Sequence, residues 1–482
     1  MLGTALAQLR HGLSLVFGSR VRIADFERIV ASILATRAEF GGIGDLAAFR
    51  GRALDQDARR PIDERRLRRV MRAAYDNTVF YRQHLDRAGL RPEDITLSTM
   101  DTLPVTPKEA LRDLPEAFVD QRVRPWYRAE TTGTTGAPTA VWFSRYEADL
   151  FSAMTAVSLL IDFDLGTDDV VQLNLSSRAV FGIHCVLNAT AMVGATANSV
   201  GLVAPEVALA RLSGSAPLAG RRPRPTLLST YPSYLGLLVS TAERLGHDAG
   251  DFGLRTIMCG GEILTDGLRR RAERLFGATV VETYGMTEIS PGGAQVCAAR
   301  HLHLNPEQGI TEVLDRTGTR PAEPGELGVL TFTPVHPYRE TTLLLRLFSG
   351  DVVRPLTGLD CDLAALPATT RVLGKLQHLR EIEGRVVTPR EILEVVEDDP
   401  DAVLPSRFAT VETSDGLVLH LLADRDGVAE RTHERALAAG LPLAGVVAHT
   451  ELATMPATQP VRADLRELRF ADTAAPRTEF AR

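Results

Sequence analysis

Residues 128–275 alternate short apolar runs with amphipathic ones, and this alternation limits the chain to few architectures. The runs 170–175, 226–229 and 256–258 have the length and apolar content of strands. The stretches 233–245 and 266–275 carry helical spacing. Strand and helix in turn point to parallel β units with helices on their faces, an α/β fold. The 482 residues exceed one ordinary domain. At roughly 150 residues each they allow about three units, or one large α/β domain with a smaller partner.

The flanks read differently. Residues 1–60 form helices with arginine-rich faces, and 64–90 continues as amphipathic helix. Pro92, Pro104 and Pro107 break 91–114 into a surface connection. Residues 325–333 and 341–348 look like further strands, followed by a proline- and glycine-marked connection over 354–374. Helix at 389–397, strand at 417–422 and helix at 428–439 predict a compact α+β tail of about a hundred residues.

Composition excludes several classes. A net charge of -7 offers no basic surface for nucleic acid, so an anionic ligand needs a local site. Four cysteines without a CxxC pair suit a reducing compartment, and the expected location is cytoplasmic. Residues 180–204 lack charge but carry His184, Asn188 and Asn198, so they read as buried core and no membrane partner is expected. The arginine-rich N-terminal helices fit a solvated face or a homodimer contact. Of 54 basic residues only two are lysines, Lys108 and Lys375.

Five segments carry chemistry. In Glu130-Thr-Thr-Gly-Thr-Thr-Gly-Ala-Pro-Thr139, two glycines let successive N–H groups turn into one concavity and threonine hydroxyls add donors. Such a nest suits a polyphosphate, though alone it also fits a polar turn. Val281-Glu-Thr-Tyr-Gly-Met-Thr-Glu288 offers an aromatic face for a base, a hydroxyl for phosphate and a hard oxygen for Mg²⁺. Cys259-Gly-Gly-Glu-Ile-Leu-Thr265 permits close approach of a ligand to backbone after a strand. In Phe348-Ser-Gly-Asp351 an aspartate at a strand end can accept from two ribose hydroxyls, or serve as a turn aspartate. The fifth, 372–392, opens the tail.

Together and in this order, these segments resemble the adenylate-forming superfamily of acyl-CoA synthetases, adenylation domains and luciferases. Tyr75-Asp-Asn-Thr-Val-Phe-Tyr81, Leu103-Pro-Val-Thr-Pro-Lys-Glu109 and Thr230-Tyr-Pro-Ser233 are similar to its phenylacetate-CoA ligase branch. The resemblance spans roughly 64–468. It implies a large N-terminal adenylating domain of mixed sheets and helices over 64–373. A small mobile α+β lid over 374–482 and a helical extension over 1–63 complete the expectation. It further implies that Thr131, Thr132, Gly133, Thr134, Thr135 and Gly136 hold the ATP phosphates. Gly260, Gly261 and Glu262 line the adenine and acyl pocket, Tyr284 and Gly285 pack at adenine, and Asp351 binds ribose. Thr287 takes the α-phosphate, Glu288 takes Mg²⁺, and Lys375 stands near ribose and phosphate. The acyl pocket is expected to draw on His184, Tyr231 and Ser233. The implied reaction is adenylation of a small, aromatic or otherwise apolar acid with release of pyrophosphate, then transfer to CoA or an amine.

Two departures qualify that picture. Arg462 falls where the family carries its C-terminal catalytic lysine, and no lysine follows Lys375. Arginine can clamp a carboxylate and a phosphate but is planar and bulkier. At the hinge, Gln377 and His378 occupy the places of an acidic pair, which lowers the expectation of CoA as acceptor. A nitrite-activating relative that diazotises an aryl amine, and an inactive nucleotide-binding relative, are the alternatives. Cys297, His301 and His303 could supply three zinc ligands with a fourth from elsewhere, or stand as a buried thiol and two loop histidines.

Overall fold

The computed structural model describes residues 2–42, 56–131, 138–176, 179–289, 294–382 and 384–457. They form two compact units, one of residues 1–167, 178–196 and 282–391, the other of 168–177, 197–281 and 392–482. Among the described residues no helix is long and apolar enough to cross a membrane.

The first unit opens on helices Leu2–Phe17, Ile23–Phe40, Gln56–Asn77 and Val79–Ala88. Thr78 separates the last two. Its hydroxyl donates to the Ala74 carbonyl at 2.7 Å and accepts the Tyr81 amide at 3.2 Å, closing one helix and capping the next. The apolar faces of these helices carry Leu67, Val70, Met71, Ala74 and Tyr81, all fully buried, and pack on Leu343, Leu344 and Leu345.

That packing corrects the strand expected at 341–348. The strand is Leu347–Val353, and the residues before it are irregular. The Thr341 amide donates to the Glu147 carboxylate at 3.2 Å, and the Trp142 amide donates to the Thr342 hydroxyl at 2.9 Å. The apolar run at 343–345 therefore reports burial against helices rather than a place in a sheet.

Strand Leu347–Val353 is the centre of a mixed sheet. It pairs antiparallel with Gly328–Pro334, which pairs antiparallel with Gly309–Asp315. On its other side it takes Thr106–Pro107 in parallel and Gly374–Lys375 antiparallel, with Asp351 opposite Lys375. A second antiparallel set joins Ala294–Val296, His301–Leu304, Ala368–Thr370 and Pro355–Leu356, with Tyr284 opposite Ala294.

The second unit holds the expected parallel strands Val170–Asn174, Leu227–Thr230 and Thr256–Gly260. Helices Pro232–Leu245 and Asp266–Phe276 cover them through a core that includes Leu235, Leu238, Ile257, Leu268 and Phe276. Strand Thr279–Tyr284 then carries the chain into the first unit. Helix Pro389–Glu397, predicted as such, carries it back. The tail forms the sheet Phe408–Thr413, Gly416–Leu422 and Leu443–His449, its parallel pair linked through helix Val428–Ala438.

Asp399 ties this tail together. Its carboxylate is fully buried and meets Arg431 and Arg435, each at 2.9 Å. Burial pushes its pKa up, but hydrogen bonds from Arg431, the Asp401 amide and Arg435 overcome that and leave it at about 2, against an ordinary 3.8. A depressed carboxylate stabilises above the unfolded value and loses that stabilisation as pH falls toward the folded one. Arg431 is partly exposed, so solvent screens the pair. Asp399→Asn is expected to cost about 2 kcal/mol at neutral pH. Urea melts should show the two proteins converging as pH drops from about 4 toward about 2. An undiminished gap at the low end would refute the linkage.

Candidate active site

Pairing and side-chain contacts bring three of the sequence motifs, those holding Tyr284, Asp351 and Lys375, to one place in the first unit. Asp351, the fifth residue of Leu347–Val353, is nearly buried and lies inside the strand, not at its end as expected. Its amide donates to the Ser349 hydroxyl at 3.0 Å. Its carboxylate accepts from the Tyr284 phenol at 3.0 Å and faces the Lys375 ammonium at 2.8 Å. Gly350 adopts φ +76, a conformation that favours glycine, directly before it. Tyr284 lies at the end of Thr279–Tyr284, its ring 6.5 Å from that of Phe332 in near-parallel orientation. Burial and the Asp351 charge push the Tyr284 phenol well above its ordinary pKa, so it stays a donor.

Four residues on, Glu288 is 1% exposed and its carboxylate meets the Lys108 ammonium at 2.8 Å. Lys108 begins helix Lys108–Asp113, immediately after Thr106–Pro107 pairs with the Asp351 strand. Burial works to discharge this ammonium. Glu288, with Asp351 behind it, overrides burial and holds the Lys108 pKa above the usual lysine value. The chain's only two lysines thus each engage a motif carboxylate in one cluster. Sequence reasoning missed Lys108. Its scarcity as a residue type was the available signal. Thr287 is half-buried and Gly285 exposed beside these groups in the sequence.

Thr131 stands at the base of the predicted phosphate loop. Strands Tyr127–Glu130 and Ala140–Phe143 form a hairpin. Thr131 closes it, its amide donating to the Thr139 carbonyl at 3.0 Å and its hydroxyl accepting the Thr139 amide at 2.9 Å. Thr132, Gly133, Thr134, Thr135 and Gly136 lie outside the described residues, as does Arg462.

The predicted acyl-pocket residues divide between the units. His184 lies on helix Val180–Val193 of the first, its Nε2 2.9 Å from the Asn188 amide and its ring 5.5 Å from Trp126. Burial and Arg145 both push its pKa down, which favours a neutral imidazole. Tyr231, Ser233, Gly260, Gly261 and Glu262 belong to the second unit. The Glu262 carboxylate accepts the Ser233 amide at 2.8 Å at the start of Pro232–Leu245, where the helix dipole favours a negative charge. Gly261 has φ +84, and a Cβ there would come within 3.3 Å of the Tyr231 ring. A side chain at 261 would therefore be strained in its backbone and tight against the Tyr231 ring.

The Cys–His group also gathers, and with a fourth member that sequence reasoning left unnamed. Cys297, His301, His303 and Cys361 place their ligand atoms within 4.8 Å of one another. Burial raises the Cys297 thiol pKa and lowers that of the His303 imidazole.

Comparison with known proteins gives a consistent result. Residues 63–333 match the family described as AMP-binding enzyme. The phenylacetate-coenzyme A ligase of Thermus thermophilus is 27% identical over 365 residues, covering 73% of this chain and 78% of its own length. That of Escherichia coli is 27% identical over 355 residues, covering 70% and 76%. The crystal structure of 2-hydroxyisobutyryl-CoA ligase in the postadenylation state, with 2-HIB-AMP, matches with a TM-score of 0.70 at 20% identity. It covers 85% of this chain and 90% of its own, a likeness of fold.

Proposed function

The chain belongs to the AMP-binding enzyme family, within the adenylate-forming superfamily, and on that premise we propose that it is an ATP-dependent, AMP-forming acyl-CoA ligase of the phenylacetate-CoA ligase type. The observation that carries this reading is the cluster of Lys108, Glu288, Tyr284, Asp351 and Lys375. A family member that had lost nucleotide chemistry would have no reason to hold its two lysines there.

In this reading the acid is small and aromatic. Its carboxylate attacks the α-phosphorus of ATP, the bond to the bridging oxygen breaks, and pyrophosphate departs with the electron pair. A thiol or amine then attacks the acyl carbon of the adenylate and displaces AMP. Catalysis of the first step is positioning and charge neutralisation, since negative charge spreads over the phosphoryl oxygens. Asp351 accepts both ribose hydroxyls, and Lys375 beside it faces ribose and α-phosphate. Tyr284 packs at adenine beside Gly285 and fixes Asp351 through its phenol. Thr131, Thr132, Gly133, Thr134, Thr135 and Gly136 hold the outer phosphates, and Thr287 donates to the α-phosphate. Lys108 joins the set as a second cation. Mg²⁺ fits as well, because it is commonly held by one or two carboxylates and substrate phosphates, and Glu288 offers such an oxygen. When bound, it supplies charge neutralisation at the phosphates. Arg462 takes the part of the missing C-terminal lysine. His184, Tyr231, Ser233, Gly260, Gly261 and Glu262 serve the acyl and adenine side. We assign residues 64–373 to the large domain and 374–482 to the lid.

The acceptor is the finer question, and Gln377 and His378 at the hinge bear on it. AMP release is to be followed with aryl acids plus CoA, aryl acids plus amines, and nitrite plus aryl amines. An aryl acid with CoA is expected to give the fastest turnover. Turnover with an amine alone would make the protein an amide-forming ligase. Turnover with nitrite and an aryl amine, accompanied by a diazo chromophore, would replace the carboxylate by nitrous acid and overturn the acyl reading.

A further inference from the structure

We infer that Cys297, His301, His303 and Cys361 form a structural zinc site in the first unit, separate from the nucleotide chemistry. The four ligand atoms come from two segments. His301 and His303 are alternate residues of strand His301–Leu304 and so share one face. Cys297 precedes them across a tight turn, its amide donating to the His301 carbonyl at 3.0 Å. Its sulfur accepts the His301 amide at 3.4 Å. Cys361 arrives from the connection between Pro355–Leu356 and Ala368–Thr370, the second of which pairs with the histidine strand. Folding thus returns a thiol to the histidines across a long stretch of chain.

The chemistry of the set selects the metal. Two thiols and two imidazoles are the donors of a closed tetrahedral zinc centre. Bonds of about 2.3 Å to sulfur and about 2.0 Å to nitrogen place tetrahedral ligands about 3.3–3.8 Å apart. Cys361 Sγ and His303 Nε2 are 3.4 Å apart, and all four ligand atoms fall within 4.8 Å. The thiols are free rather than joined as a disulfide. Cys297 is 6% exposed and His303 fully buried. Four protein donors leave no open position for a reacting group, which marks a structural centre.

The site's place in the fold gives it a task. The turn between Cys297 and His301 carries Arg300 in a left-handed conformation, φ +66. Arg300 reaches back to the Glu282 carboxylate at 2.7 Å, two residues before Tyr284. Zinc here clasps the hairpin that comes after the Tyr284–Glu288 segment to the connection that leads toward Lys375. It thereby holds the two approaches to the nucleotide cluster in register.

The test is metal analysis of the full-length, tag-free protein. Elemental analysis should find about one zinc per chain. Cobalt exchanged into the protein should give strong ligand-field bands of a tetrahedral ion and thiolate-to-cobalt charge transfer. Cys361→Ser should lower zinc affinity at least tenfold and weaken the charge-transfer band. Cys185→Ala and Cys259→Ala, which alter the other two cysteines, should leave both unchanged. Wild-type protein that takes up neither zinc nor cobalt would overturn the assignment whatever the variants do. A weak, octahedral cobalt spectrum without charge transfer would do the same. These readouts do not involve ATP, so failure of the proposed activity leaves them intact.

Discussion

Lys108→Met is expected to lower kcat/KM for adenylation by about three orders of magnitude, the scale reached when a preorganised group facing developing charge is removed. The ammonium sits 2.8 Å from a carboxylate that is 1% exposed. Its loss strands that charge out of water and takes a cation from the phosphates. The variant should also lose stability, because removing one partner of a buried ion pair leaves the other uncompensated. A double-mutant cycle with Glu288→Gln separates the two effects. If Lys108 serves only to neutralise Glu288, the double variant recovers stability and turns over as fast as Glu288→Gln alone. If Lys108 also faces phosphate, stability returns while turnover stays well below that of Glu288→Gln alone, and that is the expected result. Thermal melts and single-turnover rates read the two quantities independently. A double variant as fast as Glu288→Gln alone would remove Lys108 from the chemistry.

Asp351→Ala is expected to cost about a hundredfold in kcat/KM for ATP, carried mostly by KM, since hydrogen bonds to a charged acceptor are worth about 1.5–3 kcal/mol each. The variant also releases Tyr284 and Lys375 from their common partner. 2′-Deoxy-ATP gives the specific check. The wild type should discriminate against it, and Asp351→Ala should treat it and ATP nearly alike. Equal discrimination by both proteins would place the ribose elsewhere.

Much of this was readable in the chain because local rules and the fold agree. Helix Pro389–Glu397 opens on a proline after Thr388, whose hydroxyl and amide the Glu391 carboxylate accepts at 2.9 and 2.8 Å. The parallel strands of the second unit stand within a residue or two of their predicted places because both their pattern and their burial are apolar. The run at 341–348 misled because contiguous leucines signal burial without saying whether helix or sheet provides it. Lys108 was hidden for another reason. It reads as an ordinary first-turn lysine until a two-residue strand pairs with the Asp351 strand and sets it beside Glu288. Cys361 was hidden by distance along the chain, since only the pairing of Ala368–Thr370 with His301–Leu304 returns it to the histidines. Contacts of that range belong to topology, which periodicity does not encode.

The chain is expected to cleave ATP between the α- and β-phosphates in response to an acid. Chromatography of nucleotide products, with pyrophosphate assayed in parallel, tests it most directly across a panel of aryl acids and CoA. AMP and pyrophosphate are expected in equal amounts, dependent on the acid and formed about a thousandfold more slowly by Lys108→Met. ADP and inorganic phosphate as products, or intact ATP with every acid in the panel, would contradict it.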